Sequence, residues 1–217
     1  MSVHWTYRIR KAIVIASNSH EGQRRKEANI PYNAHLWGVC MQLSLIDAED
    51  DVIIAGICHD LLEDTPMQPE ILGWLFGDEV LRIVQTVTEP DKELPWEERK
   101  QTVLKRIGPA DMKVKLVKCA DKLDNLQSIA QALEAEGYRP GESNSQAKIW
   151  QQFSRGYEGQ KWFNQSVLKA LFENVTVEEL SRIFGKYLRL VEQVFDEKVT
   201  IDEKTRAHLA KDKDSQY

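Results

Sequence analysis

The sequence is poor in the residues that break helices and turn chains. Only 11 of its 217 residues are glycine and 7 are proline, too few to punctuate the many short strands of a sandwich or barrel. Its three cysteines, Cys40, Cys58 and Cys119, stand far apart with no CxxC pair. That spacing excludes a disulfide framework or cysteine-bound zinc and leaves buried, reduced thiols. An excess of basic charge is missing too. The formal net charge of −5 argues against a nucleic-acid partner, because such affinity rests on clustered Lys and Arg neutralising phosphates. The longest early apolar run, Ala12 to Ala16, is too short for a signal-peptide core or a membrane span, so the chain is expected to be cytoplasmic with no membrane partner.

What is present is an ordinary globular composition, 42% hydrophobic and 29% charged, in a length that suits one domain with one sizeable core. The fold class expected is all-α. From Asn33, a candidate N-cap, the apolar positions Leu36, Val39, Cys40 and Leu43 recur at spacings of three and four, which predicts a helix with His35 in its first turn. The stretch DAEDDVIIAGICHDLLED predicts a central helix, apolar nearly all round, that runs on to a stop at Thr65-Pro66. Two short helices break around Gly77, another lies between Pro95 and Gly108, and DMKVKLVKCADKLDNLQSIAQAL predicts a long one carrying Asp121 and Asn125 on one face. Residues 136–146 read as a flexible loop, and further helices are expected over about 147–174 and 177–194. The domain is expected to span 1–200, with 201–217 a charged tail that frays.

The chemistry concentrates in AGICHDLLEDTP. There a wholly apolar run meets His59 and Asp60, and Glu63 and Asp64 follow one turn later. Burying such groups is unfavourable unless each is paired or holds a metal. Two ligands do not satisfy a divalent ion, and His35 and Asp121, each on another helix beside an apolar stripe, are the candidate third and fourth. A mixed His and carboxylate set with open positions suits Mn²⁺, Fe²⁺ or Zn²⁺. Arg24, Arg25 and Lys26, in the loop before the His35 helix, are the candidate cations for a phosphorylated substrate.

The ordered series His35, His59-Asp60 and Asp121 resembles the metal site of the HD-domain phosphohydrolase superfamily. Further motifs, HEGQRRK from His20, PYNAH to His35, HDLLEDT from His59, FGDEV from Phe76, Val87-Thr88 and KCADKLDNL from Lys118, are similar to the hydrolase domain of RelA/SpoT-type alarmone enzymes. The resemblance covers roughly residues 7–130. It implies an HD-domain helical bundle that holds one Mn²⁺ through His35, His59, Asp60 and Asp121, other divalent transition metals being alternatives. The implied activity is removal of the 3′-pyrophosphate from guanosine tetra- and pentaphosphate, (p)ppGpp, leaving GDP or GTP. In that family the Glu-Asp pair serves water activation and proton transfer, which makes Glu63 the main base and Asp64 its partner. Asn125 matches a position that orients water or substrate, and Arg25 and Lys26 match residues that contact the nucleotide, with Arg24 beside them.

The chain length leaves no room for a synthetase domain, so a stand-alone small hydrolase is expected. Two features depart from the family pattern. The RRKEANIPY loop is one residue longer, and Asp124 and Gln127 stand where long members often carry His and Arg, which favours a less charged substrate. The alternatives are an HD-family phosphatase acting on a nucleoside 5′-phosphate or NADPH, or a helical sensor module without catalysis. The presence of both Glu63 and Asp64 speaks against the sensor.

Overall fold

In the computed structural model of the chain, which describes residues 6–25 and 29–211, the first helix α1 (Tyr7–Ser19) starts where the Thr6 side chain accepts from the Ile9 amide. This N-cap satisfies one of the free amides that open a helix. Lys26 lies outside the described residues, as do 212–217. A loop follows α1, closed by a single bridge between Arg24 and Pro31. Then come α2 (Asn33–Ser44), α3 (Asp50–Cys58), α4 (Leu61–Asp64), α5 (Pro69–Phe76), α6 (Asp78–Val87), α7 (Trp96–Ile107) and α8 (Met112–Ala135). The chain continues with a 3₁₀ turn at Lys148–Gln152, α9 (Gly156–Phe172), a second 3₁₀ turn, α10 (Arg182–Val194) and α11 (Glu203–Lys211). The fold is all-α, with no β-strand among the described residues.

The apolar pattern decides the layout. Every residue of α3 from Val52 to Cys58 is buried, as a helix must be when it packs against α1, α2, α6 and α8 at once. The longest helix, α8, packs against α2, α3, α6 and α10, with buried residues along it from Val114 to Leu133. Gly77, at φ +96°, takes a backbone conformation that other L-residues adopt at a cost, and it turns the chain between α5 and α6. All three cysteines are free and buried.

The structure departs from the sequence reading in four places. The helix expected to run through His59 to Thr65 breaks after Cys58 and restarts at Leu61. Asn33 is not the cap of α2 but its first residue, and the residue at the cap position, Tyr32, makes no side-chain hydrogen bond to the helix's first amides. The 136–146 segment is irregular but anchored, since buried Asn144 donates to the Val194 carbonyl at 2.8 Å and accepts from the Trp150 indole at 2.8 Å. The segment 203–211, expected to fray, is helical, with Leu209 buried and Arg206 paired to Glu192 at 2.8 Å.

Candidate metal centre and adjoining cavity

The break between α3 and α4 presents the site. His59 Nδ1 donates to the Gly56 carbonyl at 2.7 Å, taking up an acceptor that the helix would otherwise use, and the chain turns before the Asp60 carbonyl receives the amides of Glu63 and Asp64. A carbonyl carries no proton, so a ring hydrogen sits on Nδ1, and in the neutral imidazole Nε2 carries the lone pair. That lone pair faces His35 Nε2 at 3.1 Å. The His35 Nδ1 lies 2.6 Å from an Asp124 carboxylate oxygen and so also holds its proton there, leaving the second Nε2 bare.

Two carboxylates complete the group. Asp60 Oδ2 lies 2.9 Å from His59 Nε2 and 3.7 Å from His35 Nε2, while Asp121 Oδ1 is 3.8 Å from each imidazole nitrogen. His35, His59 and Asp121 are buried and offer ligand atoms all within 4.8 Å of one another. Four electron-pair donors face each other across these gaps, which is unfavourable unless a cation or a proton lies between them. Bonds of about 2.1 Å at right angles would set neighbouring nitrogens about 3.0 Å apart, close to the imidazole spacing here. The residues therefore fit a divalent ion.

The surroundings hold these donors in place. The Tyr32 hydroxyl donates to Asp60 Oδ2, and its ring stacks on His20 with centroids 4.8 Å apart. Asn125 Nδ2 donates to Asp121 Oδ1 at 2.5 Å, and Lys118 and Lys122 stand 3.0 and 3.4 Å from Asp121 Oδ2. Burial alone would raise the Asp121 carboxyl, yet Lys122, Lys118 and the imidazoles hold it well below the usual range. Burial would lower His59, but Asp60 and Asp121 lift it to about 9. In the metal-free protein a proton thus competes for the place an ion would take.

Glu63 lies beside this group, its Oε2 accepting the Glu89 amide at 3.2 Å. Burial, then Asp60 and Glu89, push its carboxyl upward against the pull of Lys118. Asp64 is apart from it, paired with Lys92 at 2.5 Å and 30% exposed. Asn125 links the two sides of the site, since its Oδ1 accepts from Arg25 Nη2 at 3.0 Å. Arg25 is buried and pairs with Asp124 at 3.2 Å. Arg24 points elsewhere and is spent on closing its own loop, donating to the Asn29 carbonyl and side chain at 2.9 and 2.8 Å.

A cavity of about 500 Å³ adjoins the centre through Asn125 and Lys122, and Arg99, Lys100, Trp96 and Phe163 line it. Lys100 Nζ sits 4.6 Å from the Phe163 ring centre and 5.8 Å from that of Trp96, distances suited to cation–π attraction. Glu89 pairs with Arg99 at 2.9 Å and with Lys100, so this cluster is tied to the backbone group that holds Glu63. Sequence reasoning missed Tyr32, Glu89 and Lys100, and it noted Asp124 only as a departure from the family pattern, not as the partner of His35. Asp124 alone carried a signal, sitting one turn from Asp121 on the same side of α8. Lys115 and Lys118 are buried, Lys115 donating to the Glu173 carbonyl.

Together these features describe an all-helical protein built round a buried cluster of two imidazoles and two carboxylates, with a cationic cavity at its side. The chain belongs to the HD domain family, whose model matches residues 12–159. It is similar to guanosine-3′,5′-bis(diphosphate) 3′-pyrophosphohydrolase MESH1 of Mus musculus, 32% identical over 166 residues that make up 75% of this chain and 92% of that protein. The Drosophila melanogaster protein of the same name is 33% identical over 132 residues, 59% of this chain and 73% of the relative. Among solved structures, that of lmo0812 from Listeria monocytogenes EGD-e superposes with a TM-score of 0.67 at 35% identity, covering 75% of this chain and 99% of that one.

Proposed function

We propose that the protein is a divalent-metal-dependent hydrolase that removes the 3′-pyrophosphate of guanosine tetra- and pentaphosphate, with His35, His59, Asp60 and Asp121 as the metal ligands. One observation carries the reading: two imidazole nitrogens and two carboxylate oxygens, from α2, the α3–α4 break and α8, face one another across 2.9–3.8 Å, with His35, His59 and Asp121 buried. The relatives' names supply the substrate, and the resemblance favours Mn²⁺ as the ion. These four residues would hold the ion, which when bound would polarise a phosphoryl oxygen and bring the pKa of a water towards neutrality.

The chain's own groups supply the rest. Glu63, whose carboxyl burial and then its acidic neighbours push upward and so make a better proton acceptor, orients the attacking water and takes its proton. The Glu89 amide fixes which way that carboxylate points. Asp64 supports it at one remove, tying α4 to the segment after α6 through Lys92. Asn125 keeps Asp121 and Arg25 in register. Arg99, Lys100 and Lys122 line the cavity that receives the polyanion, with Phe163 and Trp96 as apolar walls for the nucleoside. Arg25 contributes positive field at the boundary, and Lys26 follows it in sequence. Arg24, engaged with Asn29, has a smaller part.

Incubating the purified protein with Mn²⁺ and ppGpp and separating the products tests the proposal. GDP with pyrophosphate supports it. An intact tetraphosphate, or orthophosphate released from simpler nucleotides instead, overturns it.

A further inference from the structure

The α8 turn that supplies Asp121 also presents Asp124, one of the positions where this chain departs from its family. Its carboxylate lies between α2 and α8, with Oδ2 2.6 Å from His35 Nδ1 and 3.2 Å from Arg25 Nη1. The other oxygen, Oδ1, occupies space opened by Gly38, since a Cβ built on that glycine would stand 1.7 Å from it. Residues 35 and 38 are one turn apart on α2, so the same helix face carries the imidazole and the gap that admits its partner. The arrangement links carboxylate, imidazole and donor nitrogen in series: Asp124 accepts the Nδ1 proton, which fixes the tautomer, and Nε2 is turned towards His59 and Asp121.

We propose that Asp124 is a positioning residue for the metal centre, setting the tautomer, ring orientation and basicity of His35, with Gly38 as its required seat. A carboxylate behind a ligating imidazole raises the imidazole's donor strength, and its loss typically weakens metal affinity about 10- to 100-fold. The departure from the family pattern thus has a use here that does not involve substrate charge. Arg25 balances the carboxylate's charge from the far side, so the inner end of the 20–32 loop and the metal ligand share one anion.

The inference rests on the reading of the cluster as a metal centre, and titration of Mn²⁺ into metal-stripped protein separates the two. Wild type that takes up no ion overturns both. Given uptake, Asp124→Ala is expected to bind Mn²⁺ about 10- to 100-fold more weakly, with Asp124→Asn, which keeps an acceptor oxygen, losing less. Gly38→Ala expels the carboxylate and should weaken binding as Asp124→Ala does. The double variant should bind like Asp124→Ala alone, because the three atoms nearest the added methyl, all of the Asp124 carboxylate, are then gone. Circular dichroism and thermal melts of the stripped proteins check that each folds. If Asp124→Ala fails to fold, Gly38→Ala and Asp124→Asn carry the test. Wild-type affinity in a folded Asp124→Ala, or a Gly38→Ala loss that persists undiminished without the carboxylate, overturns the proposal.

Discussion

Lys118 is buried within α8, its Nζ 3.0 Å from Asp121 Oδ2, and Lys118→Met removes its charge while keeping much of its volume. Burial opposes the ammonium, but Asp121, Glu89 and Glu63 together hold its pKa above the ordinary lysine value. At an effective dielectric constant of about 20, opposite charges 3 Å apart attract by about 5 kcal/mol, and the cost of taking an ammonium from water offsets much of it. Removing one partner of such a pair leaves the other stranded, and the expected loss is about 3–5 kcal/mol. For a chain of this length that corresponds to a fall in Tm of roughly 6–20 °C. The assay is urea unfolding of wild type and Lys118→Met, stripped of metal and then with Mn²⁺. A bound cation restores positive charge beside Asp121, so the deficit should be largest in the stripped protein and shrink on adding Mn²⁺. A stripped variant within about 1 kcal/mol of wild type, the size of an ordinary substitution, would show that the lysine does not hold the carboxylate cluster together.

Glu63→Gln should keep its metal and lose about 10²–10⁴ in kcat, read by single-turnover kinetics beside a metal titration; undiminished turnover contradicts its role as base. Burial first, then repulsion from Lys122, lowers Lys100 to about 8 against the pull of Glu89. Its positive charge is therefore lost as pH rises through 8, and kcat/KM for ppGpp should fall there. Lys100→Arg stays charged and should abolish that fall, so a profile that it leaves unaltered removes Lys100 from substrate binding. Tyr32→Phe, which takes the hydroxyl from Asp60 Oδ2, should weaken Mn²⁺ binding in isothermal calorimetry by less than Asp124→Ala does, because Asp60 keeps its place at His59.

Much of the architecture was legible because apolar spacing and terminators agree. Pro95 and Gly108 bracket α7, and α8 follows its stripe from Met112 to Ala135. The break at His59-Asp60 was not, since the apolar pattern runs straight through it and the cause is an imidazole that takes the Gly56 carbonyl. Burial of Lys115 and Lys118 was equally hidden, because their partners, the Glu173 carbonyl and the carboxylates of Asp121, Glu63 and Glu89, come largely from other elements. A charged composition disguised α11, whose Thr205 and Leu209 are buried while Glu203 and Lys204 are exposed and Arg206 pairs with Glu192. At the site, the sequence placed His35, His59, Asp60 and Asp121 as a set, and the structure brings their donor atoms together. It places Arg24 against Asn29 and Asp64 against Lys92, pairings that no local pattern announces.

The most direct test of the account is the stoichiometry of Mn²⁺ uptake by calorimetry in wild type and in His59→Ala. One ion per chain in wild type and none of comparable affinity in the variant is the expected result. No uptake by wild type, or equal uptake by both, would contradict the claim that these helices meet round a single cation.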